Sequence, residues 1–209
     1  MERIGIYGGT FNPIHLGHLH LVNEIQAALH FDQILFIPAK TPPHKEANDL
    51  ASGKDRLEMV RLAAEEIPGA MVSDIELHSH GKSYTVYTLE KLHALLPGKE
   101  FTLMMGADML LTFDQWFRWQ DILSMARIAA VARGAGETEA LKKKAAELSP
   151  EGRIDVIEAS PLPMSSTEIR EKIKAGGDLS AYLPEKVRRY IARTGLYGCK
   201  TDKGAFHGQ

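Results

Sequence analysis

The sequence predicts an α/β fold, a doubly wound parallel sheet with a small helical part towards its C-terminal end. Three observations carry this expectation. Short apolar runs of strand type alternate along the chain with segments whose apolar residues recur at helical spacing. The clusters of glycine, histidine, serine and aspartate fall at the ends of those runs, where parallel sheets bind their ligands. A length of 209 residues and an apolar fraction of 44% suffice for one such unit with a full core.

Residues 3–7 read as the first strand, and Leu16, Leu19, Val22, Ile25 and Leu29 then recur at helical spacing to about His30. Residues 33–38 form a second buried-type strand, so the chain opens with a right-handed βαβ unit. Pro42 and Pro43 make the following stretch a loop, because prolines remove donors and restrict their neighbours. A helix from Asp55 ends at Pro68-Gly69, before a third strand expected over 71–77. The turn at 81–85 leads into a helix stopped by Pro97-Gly98, and 101–105 is the fourth strand. Broken helical pieces fill 109–124 around Trp116, a fifth strand spans 127–132, and a polar helix spans 137–148. A short strand over 153–158 and a loop framed by Pro161 and Pro163 precede a helix opening at Ser165 and a last one over 184–193. The domain is expected over 1–198, its helical part from about 165, with a flexible tail over 199–209.

Lys and Arg (25) nearly balance Asp and Glu (27), so the net charge of −2 gives no electrostatic case for nucleic acid or an anionic membrane. No apolar run approaches the ~20 residues of a membrane span, and the first residues lead into a strand too short for a signal peptide. Cys199, the one cysteine, permits no internal disulfide, which fits a cytoplasmic setting.

The informative stretch is Gly8-Gly9-Thr10-Phe11-Asn12-Pro13-Ile14-His15-Leu16-Gly17-His18. Gly8 and Gly9 permit backbone angles closed to other residues, and Gly17 lets a ligand approach the main chain. The first turn of the helix that follows presents unpaired amides and a positive dipole end. His15 and His18, three residues apart, share a face from which both rings can donate to one polyphosphate. A dinucleotide fingerprint and a Walker loop both fail on residues here, and a zinc pair lacks the neighbouring glutamate of the usual hydrolases. A glycine turn with two surface histidines is the plain alternative. Further along, Ser165-x-x-Glu168 reads as a capping box. Arg170 sits in the first turns of a helix where the dipole does not favour a cation, so an anionic partner would explain it.

With Ser165-Ser166-Thr167-Glu168-Ile169-Arg170 added, the pattern resembles the nucleotidyltransferase superfamily marked by HxGH and SSTxxR. Pro43-His44-Lys45, Ser83-Tyr84-Thr85, Gly106-Ala107-Asp108 and Trp116 narrow the resemblance to the bacterial nicotinate-nucleotide adenylyltransferases, over 3–197. The resemblance implies a Rossmann-like fold and transfer of AMP from ATP, with Mg²⁺, to nicotinate mononucleotide in NAD biosynthesis. It implies that Thr10, His15 and His18 address the reacting phosphates and that Ser166 and Arg170 hold the β- and γ-phosphates. Gly8, Gly9, Phe11, Gly17, Gly106 and Ser165 complete the ATP site, with Asp108 on a ribose hydroxyl.

The same resemblance implies that Trp116 stacks on the pyridine ring while amides near Thr85 and Phe117 receive its carboxylate. His44, Lys45 and Arg133 would hold the mononucleotide phosphate. On composition alone Trp116 reads as a core plug, Asp108 as a helix cap and the three basic residues as solvated loop charges. The attacking phosphate is already an anion, so alignment and charge stabilisation suffice and no general base is required. A nicotinamide mononucleotide enzyme, phosphopantetheine adenylyltransferase and a non-catalytic nucleotide sensor are the rival readings, and a monomer and a homodimer fit equally.

Overall fold

The computed structural model describes residues 1–40, 50–79, 83–132, 134–150, 153–160 and 162–199. Its strands are β1 (Arg3–Gly9), β2 (Gln33–Pro38), β3 (Ala70–Val72), β4 (Glu100–Gly106), β5 (Arg127–Ala132) and β6 (Ile154–Glu158). They form one sheet in the order β3-β2-β1-β4-β5-β6, with every neighbouring pair parallel. The helices are α1 (Leu16–Leu29), α2 (Gly53–Ala64), α3 (Thr85–Leu95), α4 (Ala107–Leu111), α5 (Trp119–Met125), α6 (Ala135–Leu148), α7 (Ser166–Lys174) and α8 (Glu185–Thr194).

The four inner strands β2, β1, β4 and β5 bury both faces, which is why they read as largely apolar runs. Tyr7, Ile34, Phe36, Met104 and Ala129 pack with Val22 of α1, Met59 of α2, Ile169 of α7 and Val187 of α8. Ile4, Ile6, Leu35, Leu103 and Ile128 face the other way, against Leu89 of α3, Leu110 of α4, Ile122 of α5 and Leu141 of α6. The period of two along each strand therefore sorts the helices onto two layers. Ser52 starts α2 by accepting the Asp55 amide at 3.1 Å, two residues before the expected helix.

The third strand is shorter than its expected span of 71–77. After Ser73 donates to the Phe36 carbonyl, the chain turns, with the Leu77 amide on the Asp74 carbonyl. As the sheet's edge, β3 has no second neighbour to extend its ladder, and Ile75 instead packs against the second core. Of the expected tail only Cys199 is described; 200–209 lies outside the described residues. No helix among the described residues is long and apolar enough to cross a membrane.

The strand order reverses at β1, whose neighbours are β2 and β4. β1 pairs with β4 from Arg3 to Ile6, whereas Gly8 and Gly9 pair with β2 alone. Met104 to Gly106 pair with β5 alone. The two central strands thus part at their carboxyl ends, and the crevice between them is the switch point at which such sheets bind ligands.

Candidate active site

The loop leaving β1 takes its shape from a source other than the one the glycines suggest. Gly8 and Gly9 both remain in the strand, and neither has a positive φ. The left-handed residue is Phe11, at φ 49°, with its ring 2% exposed. Gly9 makes room for that ring, since a Cβ there would stand 2.9 Å from it. A Cβ at Gly8 would meet nothing nearer than the Ile37 carbonyl oxygen at 3.9 Å, and one at Gly106 nothing nearer than Leu21 at 3.9 Å. Gly8, next to the last residue of β1, and Gly106, the last of β4, would thus each accept a Cβ without a clash.

His15 is the extended N-cap residue of α1, and its amide donates to Nδ1 of His18 at 3.1 Å. This is the reciprocal half of a capping box, with an imidazole in place of a glutamate. Because Nδ1 of His18 accepts, the proton of the neutral ring sits on Nε2, which has no partner among the described residues. The two rings stack with centroids 3.6 Å apart. The Phe11 ring meets His18 edge-on at 5.2 Å, and Tyr7 lies 6.1 Å away. Burial in this aromatic nest pushes His18 well below the ordinary imidazole range, and the neighbouring His15 adds to the effect. Burial pushes His15 down to about 4. Burial therefore favours the neutral form of both rings at pH 7.

The amides of the first turn of α1 are not open to an anion, contrary to expectation. His15 donates to the His18 ring, Leu16 to the Tyr182 carbonyl at 2.9 Å, and Gly17 to the Met164 sulfur at 3.0 Å. Gly17 also has protein rather than ligand space beside it, as a Cβ would fall 2.8 Å from Met164 and 3.1 Å from the His15 ring. What remains for a phosphate is the imidazole edge.

α7 closes the loop from the far end of the chain. Ser165 caps it, accepting the Glu168 amide at 3.2 Å while Glu168 accepts the Ser165 amide at 3.0 Å, so its polar groups serve the helix. Ser166 donates to the Pro13 carbonyl at 3.0 Å, and Arg170 Nη1 donates to the Asn12 carbonyl at 3.0 Å. Nε of Arg170 is buried and has no hydrogen-bond partner among the described residues. Thr10, between β1 and this clamp, offers its carbonyl to Arg56.

On the other strand of the crevice, Gly106 is the N-cap of α4 and Asp108 lies inside its first turn. The capping alternative for Asp108 is thereby replaced by an exposed carboxylate whose side chain has no partner among the described residues. Thr85 is the first residue of α3. Its neighbour Tyr84 packs on Phe117 with ring centroids 4.9 Å apart, and Arg118 reaches Glu90 of α3 at 3.0 Å. These contacts hold the 116–118 loop against the start of α3. The Thr85 and Phe117 amides have no partner among the described residues. Trp116 is half-buried beside Phe113, with centroids 5.3 Å apart, and Phe117 is exposed. A cavity of about 430 Å³, lined by Glu76, Ser83, Tyr84, Thr88 and Lys91 among others, opens beside this end of α3 and takes in none of the histidine cluster. His44, Lys45 and Arg133 lie outside the described residues.

Sequence reasoning passed over Arg56, Asn12 and Tyr197. The Asn12 Oδ1 accepts both the Ala51 amide at 3.0 Å and the Tyr197 hydroxyl at 2.8 Å. Arg56 did leave a signal, a charge at an apolar-face position of α2 alongside Met59, Val60 and Ala63. Asn12 and Tyr197 left none, because their pairing spans 185 residues.

Residues 6–172 match the cytidylyltransferase-like family. A protein of Lachnoclostridium phytofermentans named probable nicotinate-nucleotide adenylyltransferase is 35% identical over 94% of this chain and 100% of its own length. One of the same name from Hydrogenovibrio crunogenus is 39% identical over 93% of this chain and 97% of its own. Among solved structures, nicotinic acid mononucleotide adenylyltransferase of Plasmodium falciparum complexed with NaAD superposes with a TM-score of 0.78, at 20% identity, covering 97% of this chain and 100% of that one. That likeness shows the fold, and the sequence relatives show the kinship. The chain belongs to the cytidylyltransferase-like family and, within it, to the nicotinate-nucleotide adenylyltransferases.

Proposed function

We propose that this nicotinate-nucleotide adenylyltransferase joins its substrates in the crevice between β1 and β4, with His18 as the group nearest the reacting phosphate. The observation that carries the reading is the fixed tautomer of His18: its Nδ1 is held by the His15 amide, so Nε2–H is a preset donor. An oxygen of the nicotinate mononucleotide phosphate forms a bond to the α-phosphorus of ATP. The bond from that phosphorus to the bridging oxygen breaks, and pyrophosphate leaves with the electron pair. The nucleophile is an anion before it arrives, so no residue has to take its proton. Catalysis consists of alignment and of donors placed where charge gathers.

His18 donates to the α-phosphate, His15 backs its ring, and Thr10 lies at the turn beside them. Arg170 brings a positive charge to the loop that precedes the histidines, where its Nη1 holds the Asn12 carbonyl, and that charge suits the anionic end of ATP. Asp108 is free to accept from a ribose hydroxyl. Among the described residues no three carboxylate, histidine or cysteine side chains gather into a metal cage. Mg²⁺ would enter with ATP as its companion and would supply charge neutralisation at the phosphates. The Thr85 and Phe117 amides, without a partner among the described residues and brought near each other by the Tyr84–Phe117 contact, are two available donors. They suit a carboxylate, whereas a carboxamide would turn an N–H towards an N–H. Trp116 supplies the ring face for the pyridine.

Pyrophosphate release from ATP, followed in parallel with nicotinate mononucleotide, nicotinamide mononucleotide and phosphopantetheine, tests the reading. The nicotinate substrate should be turned over fastest. Release with either rival alone would reassign the substrate, and no release with any would remove the reaction.

A further inference from the structure

Arg56 occupies a position that its own helix does not explain. It is 1% exposed on the apolar face of α2, where a guanidinium survives only if its donors are met. Among the described residues no carboxylate pairs with it. Its partners are four main-chain carbonyls. Nε donates to Ala51 at 3.1 Å, Nη1 to Thr10 at 2.8 Å and to Ala39 at 2.7 Å, and Nη2 to Lys40 at 3.2 Å. Thr10 is the first residue beyond β1, and Ala39 and Lys40 are the first beyond β2. A single nitrogen therefore bridges the ends of two neighbouring strands.

We propose that Arg56 is a positioning residue for adenylyl transfer, fixing the Thr10 turn against the exit of β2 without touching either substrate. The proposal rests on the reaction given above, in which Thr10 belongs to the ATP side. The Ala39 amide already donates to the Gly9 carbonyl at 2.9 Å. Arg56 adds a second tie beyond that last rung, where the strands would otherwise be free to splay. In-line displacement requires the attacking oxygen and the phosphorus to meet within about 3–3.5 Å, so a small shift between the loops is costly. Lysine cannot replace the fork. Its single nitrogen cannot reach Ala51 on one side and Lys40 on the other, whereas the planar guanidinium offers five donors in set directions.

The test compares wild type with Arg56→Lys and Arg56→Met. Initial rates are measured with ATP and nicotinate mononucleotide both varied, and amide exchange is measured without substrates over 8–12 and 38–40. In Arg56→Lys, exchange should rise in both segments while β4 and β5 stay protected. Its kcat should fall by about tenfold or more, with the dissociation constant for a non-hydrolysable ATP analogue changed by less than about threefold. Arg56→Met should be worse on every readout; should it fail to fold, the charged Arg56→Lys carries the test. Unchanged exchange and wild-type kcat in Arg56→Lys overturn the proposal, as does a loss of rate that only follows the loss of folded protein or of ATP binding. A wild-type protein without turnover would remove the reaction instead, and the exchange result would still decide the tie.

Discussion

His18 is an imidazole with its tautomer chosen for it. The amide of His15 occupies Nδ1, so nitrogen-15 spectra at pH 7 should show a bare Nδ1 and a protonated Nε2 on this ring. A pyrrole-type Nδ1 would contradict the assignment. Replacing the ring by His18→Ala should lower kcat by about 100-fold or more, the scale of losing one preorganised donor to an oxyanion, with the fold kept. Near-normal turnover would sink that role. His15 makes a second, independent statement. Its folded pKa is about 4, below the ordinary imidazole value of 6.5, so its contribution to stability is complete above pH 6.5 and is lost as the pH falls towards 4. Urea unfolding of wild type and His15→Asn across that window should show the shallower acid slope in the variant, and equal slopes would refute it. The spacing of these two histidines was plain in the sequence. That the amides of their helix are already taken was not, because the acceptors at Met164 and Tyr182 come from the other end of the chain.

Among the elements, α7 was read in the sequence as a capping box and as an anion holder at once, and the structure shows the first of these and a tie to the loop after β1. Ser165 and Glu168 cap, while Ser166 and Arg170 face the loop after β1. Ser165→Ala should therefore cost about 1 kcal/mol of stability in a denaturant titration, the usual worth of an N-cap, and leave kcat nearly intact. A large loss of turnover at unchanged stability would return Ser165 to the site. β3 teaches the opposite lesson. An apolar stretch was legible as a strand, yet only Ala70–Val72 pairs, since an edge position leaves the remaining residues to pack in a turn. Arg56 was missed although it stands out on the apolar face of α2, because its meaning lies in carbonyls of two other loops.

For the molecule as a whole, alternation of strand and helix foretold the doubly wound sheet, and the strand order places the crevice. The crevice exists because β1 and β4 cease to pair beyond Ile6 and Leu103. Gly8 and Gly106 stand at the two lips, where an added Cβ would meet its nearest neighbour only at 3.9 Å. Gly8→Val should fold as well as wild type, since valine suits a strand. Its affinity for ATP should weaken by about tenfold or more, equivalent to about 1.4 kcal/mol of steric exclusion. Unaltered affinity would move the nucleotide away from this lip.

The hydroxyl of Tyr197 on Asn12 joins nearly the two ends of the chain, 185 residues apart. That one bond is a stay of the loop that carries the histidines, so a release of the turn at Leu196–Gly198 would reach those rings before it reached the sheet.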